Sequence, residues 1–185
     1  MRNVIALVGR PNTGKSTLFN RLAGSRQAIV DAISGVTRDR NYGKSEWNGY
    51  EFSVIDTGGY VDNSNDIYEN EIKKQVRLAI DESDVILFLV DGREGITPMD
   101  EDIADILRVC NKPSYLVVNK IDSAANYTDQ MEFYALGMDN LFAISAASGG
   151  GTGELLDSVV LHFSDKQVEE TEDLPKITVV GRPNV

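Results

Sequence analysis

The chain has 185 residues, room for one domain with a sizeable core but not for two of ordinary size. With 42% hydrophobic and 25% charged residues it has the balance of a globular protein, which excludes the disordered and fibrous classes. A formal net charge of -11 argues against a sequence-independent grip on nucleic-acid phosphates, which needs clustered Lys and Arg, and no apolar run reaches membrane-spanning length. The N-terminus carries strand periodicity without the layout of a signal peptide, so the cytoplasm is the expected compartment.

Taken in chain order, short apolar runs alternate with helical patterns. Residues 4–8 predict a buried strand and 15–22 a helix. The stretch YGKSEWNGYEFSV predicts a hairpin turning at Asn48-Gly49, with a strand over 52–55 and an antiparallel strand at the sheet edge. A helix through 72–80 follows, then a strand over 85–90. The next helix, 98–109, has a legible start: Thr97 can cap it, Pro98 suits the first helical position, and Asp100 faces the exposed amides. A strand over 115–118, a helix near 131–136, a strand over 141–144 and a helix over 155–163 complete the series. Strand and helix by turns predict an α/β fold with a doubly wound, mostly parallel six-stranded sheet and one antiparallel edge strand.

From 164 to 175 the periodicity dies and acids accumulate, which reads as a linker. A new apolar segment then opens at Ile177 and runs into Gly-Arg-Pro-Asn, a near copy of residues 3–12. The lone cysteine, Cys110, can form no internal disulfide and reads as a packed thiol; the lone histidine, His162, has no nucleophile motif pointing to it.

The chemistry is concentrated in residues 9–16, GRPNTGKS, which match the phosphate-binding loop and lie between a strand and a helix as that loop requires. Backbone amides would curl around phosphate oxygens, and the helix would point its positive end at the anion. Lys15 would reach the terminal phosphates and Ser16 would offer its hydroxyl to Mg²⁺. Gly9, Asn12, Thr13, Gly14 and Thr17 are the further candidate contacts of this segment. Asn-Lys-Ile-Asp, residues 119–122, ends another strand; the Asp122 carboxylate can accept both N1–H and the exocyclic amine of guanine, donors that adenine does not present in that arrangement. Asn119 would brace the loop and the Lys120 stem would lie across the base. Asp56, at the end of VID, is a candidate Mg²⁺ partner through water, with the Gly59 amide facing a γ-phosphate. Thr37 would close over Mg²⁺ when that phosphate is present. Ser145 and Ala146 follow the last strand, where the Ala146 amide could meet guanine O6.

Five motifs in chain order, GRPNTGKS, Thr37, DTGG, NKID and SA, resemble a translation-factor-class GTPase with a P-loop, Ras-like G domain over residues 1–163. The wording GRPN and GVTRDR, with a second VGRPNV after a short acidic linker (164–175), resembles the Der/EngA family of tandem G-domain GTPases. The resemblance implies GTP or GDP with Mg²⁺, residues 176–185 as the start of a second G domain, a KH-like domain beyond it, and work in assembly of the large ribosomal subunit. It also implies K⁺ in place of an arginine finger, with Asn12 as the matching side-chain ligand. Three positions depart from the family pattern: Ser34 where Pro is usual, Thr13 where a small apolar residue is usual, and Ser148 where His is frequent.

Hydrolysis needs a positioned water and a cation against the charge that develops between the β- and γ-phosphates. Ras-like enzymes place Gln just after the Asp-x-x-Gly motif; here Tyr60 stands there, and a phenol does not orient water as a carboxamide does. Slow intrinsic turnover is therefore expected, and Arg38 and Arg40 are candidate internal fingers. Two other readings compete: a regulatory nucleotide-binding unit with negligible turnover, and a GTPase of another task such as tRNA modification. The acidic balance predicts weak direct RNA binding by this chain.

Overall fold

The computed structural model describes residues 3–24, 41–57, 65–121 and 129–163. Thr37, Gly59, Asp122, Tyr60, Ser34, Arg38 and Arg40, the linker over 164–175 and the repeat over 176–185 lie outside the described residues.

Six strands form one sheet: β1 (Asn3–Val8), β2 (Asn41–Trp47), β3 (Tyr50–Asp56), β4 (Val85–Asp91), β5 (Ser114–Asn119) and β6 (Leu141–Ala143). Their order is β2-β3-β1-β4-β5-β6. Only β2 and β3 pair antiparallel; the pairs of β1 with β3 and β4, β4 with β5 and β5 with β6 are parallel. The expected antiparallel edge strand is thus β2.

The doubly wound character follows from the strand period of two. On β1, Ile5 and Leu7 point into one core with Leu18 and Leu22 of α1 (Lys15–Ala23) and Leu155 and Val159. Ala6 and Val8, the alternate residues, point into a second core with Val76 of α2 (Asn65–Glu82) and Ile103 and Leu107 of α3 (Pro98–Arg108). β4, VILFLVD, is buried at every position, because both faces of a central parallel strand are covered.

The hairpin between β2 and β3 turns where expected. Asn48 (φ 51°) and Gly49 (φ 81°) are both left-handed, as a two-residue turn of that hand requires. Its tip is held by Trp47 Nε1 and Asn48 Nδ2, which both donate to Asp157 Oδ1 at 2.8 Å.

Two helical expectations change in detail. The segment Asp129–Leu136 is a 3₁₀ helix. Its buried residues are Gln130, Phe133 and Leu136, a spacing of three that fits three residues per turn and not 3.6. The last helix, α4, spans Thr152–Val159, beginning after left-handed Gly151 (φ 74°) and tightening into a 3₁₀ turn at Val160–His162. Phe163 is already extended there and packs its ring 5.5 Å from Phe52. Cys110 is partly buried against the α3 core, as its sequence position suggests.

With β3 on one side of β1 and β4 on the other, the carboxyl ends of β1, β3, β4 and β5 open on one crevice. Register brings Leu7 beside Asp56 and Asp91 beside Asn119. Open α/β sheets bind their ligands at such a switch point.

Candidate functional site

The phosphate loop is made chiefly from backbone. β1 ends buried, so the chain must turn away tightly: Gly9 has φ 143°, and a Cβ there would lie 2.3 Å from the Leu89 carbonyl oxygen. Asn12 (φ 63°) and Gly14 (φ 93°) are also left-handed, the habit by which alternating residues form an anion-binding nest. Gly14 precedes the first residue of α1, so the loop leads directly into a helix N-terminus. Thr13 is fully buried and donates its hydroxyl to the Arg10 carbonyl at 3.0 Å. That bond gives the Thr13 departure a bracing role in the loop.

Lys15 is buried, and its Nζ donates to the same Arg10 carbonyl at 2.7 Å. Burial pushes its pKa down from 10.5 to about 8, against the upward pull of Asp56; the Arg10 charge lowers it further and Asp100 raises it. A buried ammonium with a single backbone acceptor is poised for an anion. Ser16 Oγ donates to Asp56 Oδ2 at 2.8 Å, which brings together two of the three residues expected at Mg²⁺. Asp56 is 1% exposed at the end of β3, and a hydroxyl paired with a carboxylate is a donor set that a hard divalent cation accepts. Thr17 follows Ser16 on α1 and is exposed.

The side expected to meet the base is assembled differently, from side chains reaching between remote segments. Asn119 ends β5 and is 2% exposed. Its Nδ2 donates to the Thr13 carbonyl at 2.8 Å, and its Oδ1 accepts the Ala146 amide at 2.9 Å. A Cβ on Gly14 would lie 2.2 Å from Asn119 Nδ2, so glycine is needed where this side chain crosses the loop. Asn119 thus does more than brace its own loop: it ties the phosphate loop to the segment after β6. The Ala146 amide, expected at guanine O6, donates in this structure to Asn119. Ser145 is buried, its Oγ accepts the Ser148 amide at 3.2 Å, and Ser148 Oγ accepts the Gly150 amide at 3.4 Å. Ser148 therefore helps to shape this turn.

Lys120 adopts a left-handed conformation (φ 69°), and its Nζ pairs with Asp91 at the end of β4. The expected stem across the base thereby gains a fixed far end. Burial raises the Asp91 pKa, but hydrogen bonds from Lys120 and the Arg93 amide outweigh this and hold it below the usual carboxylate range.

Three residues here, Asp91, Arg10 and Arg21, have partners that no local motif announces. Asp91 holds Lys120. Arg10 is held by Asp100 at 3.2 Å and Glu94 at 2.7 Å. Asp100 also accepts the Thr97 amide at 3.0 Å, so the capping box of α3 is fastened to the phosphate loop. Arg21 on α1 donates to the Ala146 and Ala147 carbonyls. The capping chemistry of Thr97 and Asp100 is readable in sequence, but Arg10 as its partner 90 positions away is not. Among the described residues no group of three or more His, Cys, Asp or Glu could hold a metal, and no helix is long and apolar enough to cross a membrane.

Comparison with known proteins fits this geometry. A family model described as 50S ribosome-binding GTPase matches residues 4–120. The chain is 61% identical over 184 residues to a GTPase Der of Flavobacterium johnsoniae, covering 98% of this chain and 42% of that relative, so it spans less than half the relative's length. Among solved structures, an Era variant from Aquifex aeolicus bound to GDP and aluminium fluoride superposes with a TM-score of 0.71 at 31% identity, covering 89% of this chain and 58% of that one. The G domain of the Thermotoga maritima FeoB iron transporter gives a TM-score of 0.65 at 25% identity, covering 88% of this chain and 99% of that one. The described sheet, with its antiparallel edge strand, is that of a Ras-like G domain. The chain belongs to the 50S ribosome-binding GTPase family, and relatives that match it along its full length carry the name GTPase Der.

Proposed function

We propose that this chain binds GTP with Mg²⁺, hydrolyses it to GDP and phosphate, and acts in the cytoplasm as a nucleotide-dependent switch in assembly of the large ribosomal subunit. The observation that carries the reading is the Asn119 bridge between the Thr13 carbonyl and the Ala146 amide, which ties the expected phosphate loop to the segment expected at the base.

In this reading Lys15 and the loop amides, with Gly9 and Gly14 permitting close approach, hold the β- and γ-phosphates. Lys15 exchanges the Arg10 carbonyl for phosphate oxygens, and the anion restores its full positive charge. Ser16, Asp56 and Thr37 are the residues that would hold Mg²⁺, which would supply positive charge beside the phosphate oxygens. The Gly59 amide meets the γ-phosphate, Asp122 reads the guanine N1–H and amine, and Lys120, anchored on Asp91, supports the base face. Asn12, exposed and left-handed in the loop, is the candidate K⁺ ligand.

The ribosomal role is supported by the family description, which names 50S ribosome binding, and by similarity along 98% of this chain to a GTPase Der of which it covers 42%. A second G domain and a KH-like domain in the parent protein would supply the cations for RNA contact that a chain of charge -11 lacks.

Single-turnover hydrolysis tests the catalytic part. The chain, loaded with GTP and Mg²⁺, is expected to release phosphate slowly, and Lys15→Ala to release it about 10²–10³-fold more slowly still. Retention of intact GTP by the wild-type chain would instead favour the regulatory-unit reading that Tyr60 suggests.

A further inference from the structure

The Asn119 bridge is one side of a larger ring, and its other side is closed by a residue with no motif. α1 begins at Lys15, beside the phosphates, and six residues on carries Arg21. Arg21 Nε donates to the Ala146 carbonyl at 2.6 Å and Nη2 to the Ala147 carbonyl at 2.5 Å, across 125 and 126 positions of sequence. The loop bends around this guanidinium: Gly149 is left-handed (φ 93°), and a Cβ there would lie 2.7 Å from Arg21 Nη1. The Gly149 amide donates to the Ser145 carbonyl at 2.7 Å, closing the turn on the other side. From Thr13 the ring runs through Asn119 to the amide of Ala146, from the carbonyl of Ala146 to Arg21, and along α1 back to the phosphate loop.

Charge-assisted bonds from a planar fork to two consecutive carbonyls fix a peptide's orientation as well as its position. The peptide units fixed here adjoin the Ala146 amide, which is expected at guanine O6 and which donates to Asn119 in this structure. We propose that Arg21 is a positioning residue for guanine specificity: it sets the aim of the Ala146 loop at the O6 edge of the base and couples that aim to α1 and the phosphates. This inference rests on the guanine-nucleotide reading above.

The test compares three diphosphates in equilibrium titrations with Mg²⁺. GDP and inosine diphosphate both present O6, whereas 6-thioguanosine diphosphate keeps the N1–H and amine but offers sulfur, a weak acceptor, in its place. Arg21→Ala is expected to weaken GDP and inosine diphosphate by about tenfold, the order of one lost charge-assisted hydrogen bond, and 6-thioguanosine diphosphate by much less. Arg21→Lys, which keeps the charge but loses the planar fork, is expected to restore part of the preference, and it provides the readout should the alanine variant fail to fold. Equal weakening of all three ligands, or no weakening, would overturn the proposal, since a merely structural role lowers all affinities together. Wild-type binding that does not favour GDP over ADP would remove the nucleotide reading itself, and it would be seen before any substitution is made.

Discussion

The ends of the crevice expected to hold phosphate and base are built on different principles. At the expected phosphate end, most of the parts lie within eight consecutive residues: backbone in left-handed conformations at Asn12 and Gly14, a helix N-terminus, and two side chains, Lys15 and Ser16, with Asp56 the remote partner of Ser16. At the base end no segment is complete by itself. Asn119 needs the Thr13 carbonyl and the Ala146 amide, Lys120 needs Asp91, and the loop after β6 needs Arg21. The contrast suggests that phosphate binding is a local property of the chain, whereas base selectivity is a property of the folded sheet, which lines up the ends of β4, β5 and β6.

That contrast is broken most sharply by a change on the phosphate side. Lys15→Met is expected to reduce turnover by about 10²–10³-fold, the scale seen when a preorganised charge at the reacting group is lost, with guanine and adenine nucleotides weakened alike. Single-turnover rates together with competition binding check both halves. Loss of base preference in this variant would show that the two ends are not separable.

Next in size is Asn119→Ala. It leaves the buried Thr13 carbonyl and Ala146 amide without their partner, which should cost about 2–3 kcal/mol of stability. Chemical denaturation measures that loss. The same variant should narrow the GDP-over-ADP preference by more than it weakens inorganic pyrophosphate binding.

Replacing K⁺ with Na⁺ at equal ionic strength is expected to slow hydrolysis by about tenfold if Asn12 helps to hold the cation at the charge developing on the phosphates. Equal rates in the two salts would remove that role and leave Asn12 as a loop residue.

The smallest effect is that of pH on Lys15. Its pKa in the folded, ligand-free chain is about 8, below the ordinary 10.5. Between those values the unfolded chain binds more protons at this residue, so its contribution to stability rises with pH through that window and its penalty is fully present below about 8. Nucleotide acts in the opposite sense, because phosphate favours the charged form. Affinity should therefore fall roughly several-fold between about pH 7 and about pH 9, with proton uptake on binding detectable by calorimetry in buffers of different ionisation enthalpy.

Legibility in the sequence follows the same division. The strand, loop and helix of residues 3–23, the Asn48-Gly49 hairpin and the Thr97 cap were readable because each is stated within a few residues. The 3₁₀ form of Asp129–Leu136 was missed because a spacing of three and a spacing of three to four differ little over eight residues. Arg10, Asp91 and Arg21 were missed for another reason. Each has its partner 29 to 126 positions away, and only the strand order brings them together. A surface arginine on a helix has no local mark that separates it from a solvated one. Asn119 lies between these cases: its motif was recognisable, but not the two segments it joins.

The most direct test of the account is a competition titration of the wild-type chain with GDP and ADP in Mg²⁺. Mg²⁺-dependent binding of GDP, with ADP failing to compete at a hundredfold excess or about that, is the predicted result. Equal competition by ADP would show that the crevice binds phosphates without reading guanine, and would contradict the account.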